Sequence, residues 1–98
     1  MAISFWPTFQ SIVGIPSSSP PAQIVRDSQW TIVVADIIYS NASVELPAVA
    51  EIGDVVEIHS NPINFPHSID IQPPAGQTIL GPSTTSFRKI SPTIWSAF

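Results

Sequence analysis

Eleven prolines, from Pro7 to Pro92, are scattered through the 98 residues of the chain. Each removes a backbone donor, and its ring clashes with the preceding helical turn. No proline-free window holds a sustained 3.6-residue apolar period, so long helices are excluded. What recurs instead is short β-branched runs punctuated by Pro, Gly, Asn and Ser, the pattern of strands and turns. The chain is expected to be all-β.

Within those runs the side chains alternate, as they must where one face of a strand is buried. Residues 30–35 place Ile32 and Val34 on one face. Val44 and Leu46 are expected to face inward, with Glu45 outward. Val56 and Ile58 oppose Val55, Glu57 and His59, and Ile69 and Ile71 alternate with Ser68, Asp70 and Gln72. Further runs cover residues 78–80, 86–90 and 93–97. Turn signals stand between them at Ser40-Asn41, Gly53-Asp54, Asn61-Pro62, Pro74-Ala75-Gly76 and Gly81-Pro82. About seven short strands at close spacing predict a small antiparallel β-sandwich or barrel. No internal repeat of fixed period is visible.

The N-terminal part reads differently. Ile3, Phe5, Trp6, Phe9, Ile12 and Val13 form an apolar cluster, followed by the Ser/Pro linker from Ser17 to Pro21. Two readings stand side by side: an extended arm that lays its aromatics on a neighbouring subunit, or an edge strand folded onto the chain's own core. The division is an arm and linker over residues 1–22 and a β-domain over 23–98.

Charge narrows the function. Only 10% of residues are charged, against 44% hydrophobic, whereas ordinary soluble domains carry about 25% charged residues. A free-standing monomer of this size usually holds more charge, so part of the surface is expected to be covered by a partner. Seven acidic and three basic residues leave a net charge of −4. Arg26, Arg88 and Lys89 alone give no footprint for a phosphate backbone, and nucleic-acid binding is not expected. The absence of cysteine removes disulfides and zinc–thiolate sites. The first residues lack the basic leader of a secretory signal, and no apolar run is long enough to cross a bilayer as a helix. The chain therefore reads as soluble and unprocessed, with no membrane partner.

Residues 36–81 carry a resemblance. Leu46-Pro47, Gly53-Asp54, the alternating Ile69 and Ile71, Pro74 with Gly76, Ile79 with Gly81, and then Trp95 follow one another in an order that resembles a β-rich module of bacteriophage virion proteins. That module occurs in head fibres, capsid decoration (cement) proteins and tail-fibre tips. The inserted residues 61–67 are longer and richer in proline than its usual turn, and the chain stops three residues after Trp95. That early stop favours a small decoration protein over a full fibre tip. The resemblance implies a virion location on the capsid exterior, with the major capsid protein and further copies of the chain, as homodimer or homotrimer, as partners. The alternative it implies is a fibre tip that binds a host receptor or glycan, with Phe65 beside Asn61, Asn64 and His67.

No catalytic constellation competes with this. There is no Gly-x-Ser-x-Gly elbow. Exposed carboxylates such as Glu45 and Glu57, which could lie on adjacent strands, serve solubility more often than acid–base chemistry. His59 and His67 near Glu57 and Asp70 would need a hairpin of residues 55–60 with 68–72 to share a face, and a metal needs three or four convergent ligands. No enzymatic activity, cofactor or metal is expected. Trp30, Phe87 and Trp95 are expected in the core. Phe5, Trp6, Phe9 and Phe65 are the candidate interface residues, because aromatics concentrate at the buried centres of protein contacts.

Overall fold

The computed structural model describes residues 6–13, 20–37, 41–60, 68–82 and 84–98. Among them are nine strands and no helix. They are β1 (Thr8–Val13), β2 (Ala22–Gln23), β3 (Trp30–Asp36), β4 (Ala42–Glu45), β5 (Val55–Ser60), β6 (Ile69–Gln72), β7 (Thr78–Leu80), β8 (Ser86–Ser91) and β9 (Ile94–Ala97). The all-β expectation is met.

The strands form a six-stranded sheet, ordered β1-β3-β5-β8-β9-β7, and a three-stranded sheet, ordered β2-β4-β6. The expected antiparallel pairing is not what forms. β1 with β3, β3 with β5, β2 with β4, β4 with β6, and β7 with β9 all run parallel. Only β5 with β8 and β8 with β9 are antiparallel among the described strands. The physical reason lies in the connections. Parallel neighbours need a crossover of about a dozen residues or more, and the stretch between Asp36 and Val55 spends its length forming β4 in the other sheet. From β1 to β6 the chain alternates between sheets at every step, so each pair β1-β2, β3-β4 and β5-β6 is one rung of a short stack. Thr8 lies beside Thr31, Trp30 beside Val55, Ala22 beside Val44 and Ala42 beside Ile69. These unequal offsets explain why no fixed period shows in the sequence. Of the two readings of the N-terminal segment, Thr8–Val13 take the edge strand: they pair along their whole length with β3 of the same chain.

The core lies between the sheets. Val33, Val44, Leu46, Val56, Ile58 and Trp95 are fully buried, with Ile24, Phe87 and Ala97 around them. Val44, Leu46, Val56 and Ile58 therefore point where their alternation places them. In β3 the inward set is Thr31, Val33 and Ala35, which turns Ile32 and Val34 to the outside together. Ile69 and Ile71 pack against the core but stay partly exposed, because β6 is the edge of the smaller sheet. Phe87 and Trp95 are core as expected, but Trp30 is not. It is 37% exposed.

Two polar devices fasten the layers. Asp54 is buried and accepts Arg26 Nε at 2.8 Å and Arg26 Nη2 at 3.1 Å, while the Glu51 amide donates to it at 2.9 Å. The two-pronged contact with Asp54 holds the Arg26 guanidinium pKa above its ordinary value. The neighbouring Gly53 amide donates to the Lys89 carbonyl at 2.8 Å, and the Lys89 amide to the Asp54 carbonyl at 2.9 Å. This cluster locks the 51–54 turn to the segment after β2 and to β8. The second device is Gln77. Its side-chain oxygen accepts Trp95 Nε1 at 2.9 Å and Lys89 Nζ at 2.8 Å, with the Lys89 ammonium 5.3 Å from the Trp95 ring centroid. A buried lysine needs such partners, because removing its charge from water is costly.

Glycine carries part of the turn chemistry. Gly53, Gly76 and Gly81 have positive φ. A Cβ on Gly81 would stand 2.6 Å from the Ala97 carbonyl oxygen, whereas one on Gly53 would meet nothing. Gly81→Ala should therefore cost about 2–4 kcal/mol, combining left-handed strain with a backbone clash, and Gly53→Ala only about 1 kcal/mol. Urea unfolding of the two variants checks the order.

Burial pushes the Lys89 pKa below the ordinary lysine range, opposed in part by the charge of Asp54. The folded state then binds fewer protons than the unfolded chain between the depressed pKa and the unfolded value near 10.4. Stability should rise with pH across that window. Lys89→Met, which keeps the stem and leaves Gln77 bound to Trp95, should flatten the rise. Urea midpoints from neutral to alkaline pH, compared between the two proteins, measure it.

Candidate interaction face

Register decides which side chains share the outer face of the six-stranded sheet. In a paired ladder, partnered residues point to the same side. The inner set runs Gln10, Val33, Ile58 and its neighbours, so the outer set is fixed. Phe9 stands beside Ile32, and Ile32 beside Glu57. Ser11 stands beside Val34, Val34 beside His59, Trp30 beside Val55, and Val55 beside Arg88. Phe98 follows β9 and reaches Arg88, whose guanidinium carbon lies 5.2 Å from its ring centroid. Beyond the start of β1, Trp6 joins the same surface.

This face is apolar and open. Trp6 is 81% exposed, Phe9 70% and Phe98 54%, with Trp30 and Val34 also exposed. Sheets built from parallel strands are normally covered on both sides; among the described residues, β1, β3 and β5 are covered on one. Apolar groups gathered in this way are uncommon on monomers and mark contact surfaces.

Where β3 and β5 begin, this face holds a cleft of about 430 Å³ lined by Trp6, Gln29, Trp30, Gly53, Val55, Glu57, Arg88 and Phe98. Its geometry follows from β3, β5 and β8 lying side by side. Trp30 Nε1 donates to Glu57 Oε2 at 3.0 Å, which fixes the indole against the carboxylate. Arg88 sits over Phe98 on the other side. The cleft thus presents three aromatic rings, one carboxylate and one guanidinium. No Ser, Thr, Cys or His is among its lining residues.

The candidate interface residues divide. Trp6 and Phe9 lie on this face, Trp6 in the cleft wall and Phe9 on the edge strand. Phe5 and Phe65 lie outside the described residues, as do Asn61, Asn64 and His67. Trp30, Glu57, Arg88 and Phe98 were not singled out from sequence as contact residues. Trp30 looked like core because it opens an apolar run, but the buried phase of that run begins at Thr31. The hairpin that would have joined Glu57 and His59 to Asp70 does not form, since β6 pairs with β4 in the other sheet. Glu45 and Glu57 are likewise on different sheets. Among the described residues, no three His, Cys, Asp or Glu side chains converge in a way that could hold a metal ion.

A second cavity of about 670 Å³ opens between β6 and β7, floored by Ile58, Ile69, Ile71, Ile79 and Phe87. It lies where the smaller sheet ends and the larger one continues. Comparison with protein-family models, with curated proteins and with solved structures gives no match to this chain.

The exposure of Trp6 and Phe9 predicts that they do little for folding. Trp6→Ser and Phe9→Thr should each change stability by less than about 0.5 kcal/mol. Trp95→Phe, which strips a buried indole from Gln77, should cost about 2 kcal/mol or more. Denaturant midpoints of the three variants give the comparison.

Proposed function

We propose that this chain is a non-enzymatic structural subunit that works by packing into a larger protein assembly. We further propose that the assembly is a bacteriophage virion, with the chain a decoration protein on the outside of the capsid lattice. The observation that carries the assembly reading is the uncovered apolar face of the six-stranded sheet. Burying it against a neighbour removes aromatic and aliphatic surface from water, at roughly 25 cal/mol for each Å² covered. The scarcity of charge fits a surface meant to be hidden. The virion assignment rests on the resemblance of residues 36–81 and Trp95 to phage virion modules, and the partners it names are the major capsid protein and other copies of the chain. Contacts repeated over many copies on one lattice gain from avidity, so each can be modest.

A second reading, a fibre tip that binds a receptor or glycan, draws on the same cleft: aromatic rings flanked by Gln29, Glu57 and Arg88 offer a platform with polar edges. The assembly reading is preferred because the apolar surface runs well beyond the cleft, along Phe9, Ile32 and Val34.

The experiment is reconstitution. Purified chain is added to phage capsid shells assembled without it, and occupancy is read from density maps or co-sedimentation. Occupied sites, lost when Trp6→Ser and Phe9→Thr are combined in a folded variant, are the expected result. An empty shell at saturating protein, together with selective glycan binding by the isolated chain, would overturn the decoration role in favour of the tip.

A further inference from the structure

Resting on that assembly reading, we infer that the outer face of the six-stranded sheet docks on the same face of a second copy, as a two-fold pair. Two features of the face point to a copy of itself. The first is charge. The chain carries a net −4, which opposes self-association, but the cleft holds one carboxylate, Glu57, and one guanidinium, Arg88, and is balanced. The two residues are near neighbours across the β5–β8 ladder, since Glu57 pairs with Ser86 and Val55 with Arg88. A two-fold axis beside them sets Glu57 of each copy against Arg88 of the other.

The second feature is shape. The face holds a projecting ring, Phe9 on the edge strand, and a hollow, the aromatic cleft, at separate positions. A two-fold contact requires that residue i of one copy meet residue j of the other and the reverse. A surface with one knob and one hole meets that requirement without a second partner. Sheets stacked face to face lie about 10 Å apart, a spacing that aromatic side chains fill. The pairing would also give β1, β3 and β5 the second covering layer that parallel strands ordinarily have.

Charge reversal with mixing tests this. Arg88→Glu makes the paired faces doubly negative, and Glu57→Arg makes them doubly positive. Each variant alone should weaken self-association about tenfold or more, because opposed like charges in a contact are costly. An equimolar mixture of the two variants should restore it, since each then meets its complement. Light scattering and sedimentation over a concentration series provide the readout, with circular dichroism to show that both variants fold. Wild-type dimer, variant monomers and a rescued mixed dimer support the inference. Wild-type protein that stays monomeric at about 0.5 mM, where even millimolar contacts are populated, overturns it. So does a dimer indifferent to both reversals, or a closed trimer. A monomer that still occupies capsid shells would sink the pairing alone, whereas a face-paired dimer that never reaches a shell would sink the assembly reading alone.

Discussion

Everything in this fold depends on the chain crossing from one sheet to the other at each step from β1 to β6. A strand of two to seven residues cannot bury its apolar side alone. Here it does so against the strand that follows it, in the opposite layer, and each completed rung then lends its open backbone edge to the next. The hydrogen-bond ladders are consequently long-range, and the core is shared between distant segments: Ile24, Val44, Ile58 and Trp95 belong to one cluster. The stack stops at the third rung because the chain changes tactics. β8 returns antiparallel beside β5, β9 turns back beside β8, and β7 pairs with β9 at the far edge. The larger sheet thereby outgrows the smaller one, and its extra half is filled from within by Phe87 and Trp95 rather than by further strands.

That change of direction needs fixing, and the fixing is polar. A thin core leaves little margin, so the position of β8 against the third rung is set by groups whose geometry is unforgiving. Asp54 accepts Arg26 in a two-pronged contact and caps the Glu51 amide with its buried carboxylate, while its backbone carbonyl accepts the Lys89 amide, so three segments meet at one residue. Gln77 does the corresponding work for the C-terminal part, holding both the Trp95 indole and the Lys89 ammonium on a single oxygen. Exposed ion pairs contribute little, but Asp54 is almost fully covered, and a buried carboxylate without its partner would cost far more than the pair returns.

Much of this was legible in the sequence, and the parts that were not share a cause. Proline spacing excludes helices, and strict alternation at Val56 and Ile58 or Val44 and Leu46 fixes which side faces in. Such signals are local: they state the orientation of a residue relative to its own strand. Whether a strand pairs parallel or antiparallel is a property of backbone ladders and connection paths, to which side-chain period is blind. Hence residues 55–60 and 68–72, adjacent in sequence and each cleanly alternating, could be imagined as a hairpin when they belong to different sheets. Trp30 misleads for a related reason. In a run where apolar residues occupy both phases, period two gives no phase, and the small polar Thr31 takes the inward position that the tryptophan was expected to hold. The contact face inherits both difficulties, because it exists only once β1, β3, β5 and β8 are placed side by side. Trp6 and Phe9 could be picked from the sequence as aromatics in an unusual segment, but Glu57 and Arg88 become neighbours only through the β5–β8 register.

The same absence of phase carries the functional argument. A sheet meant to face water marks its outer positions with charge, and an edge strand meant to stay single protects itself with lysine, proline or a bulge. β1 has none of these within Thr8–Val13, and no charged residue precedes Arg26. On β3 the outer phase is Trp30, Ile32, Val34 and, at the strand's end, Asp36, and the first three are as apolar as the inner ones. Such a strand is written as though both its faces were interior. One interior is supplied by the three-stranded sheet; the other face stays largely open among the described residues, and Glu57 and Arg88 are the charges that line its cleft. Packed against a surface equally short of charge, such a face would gain by removing its rings from water.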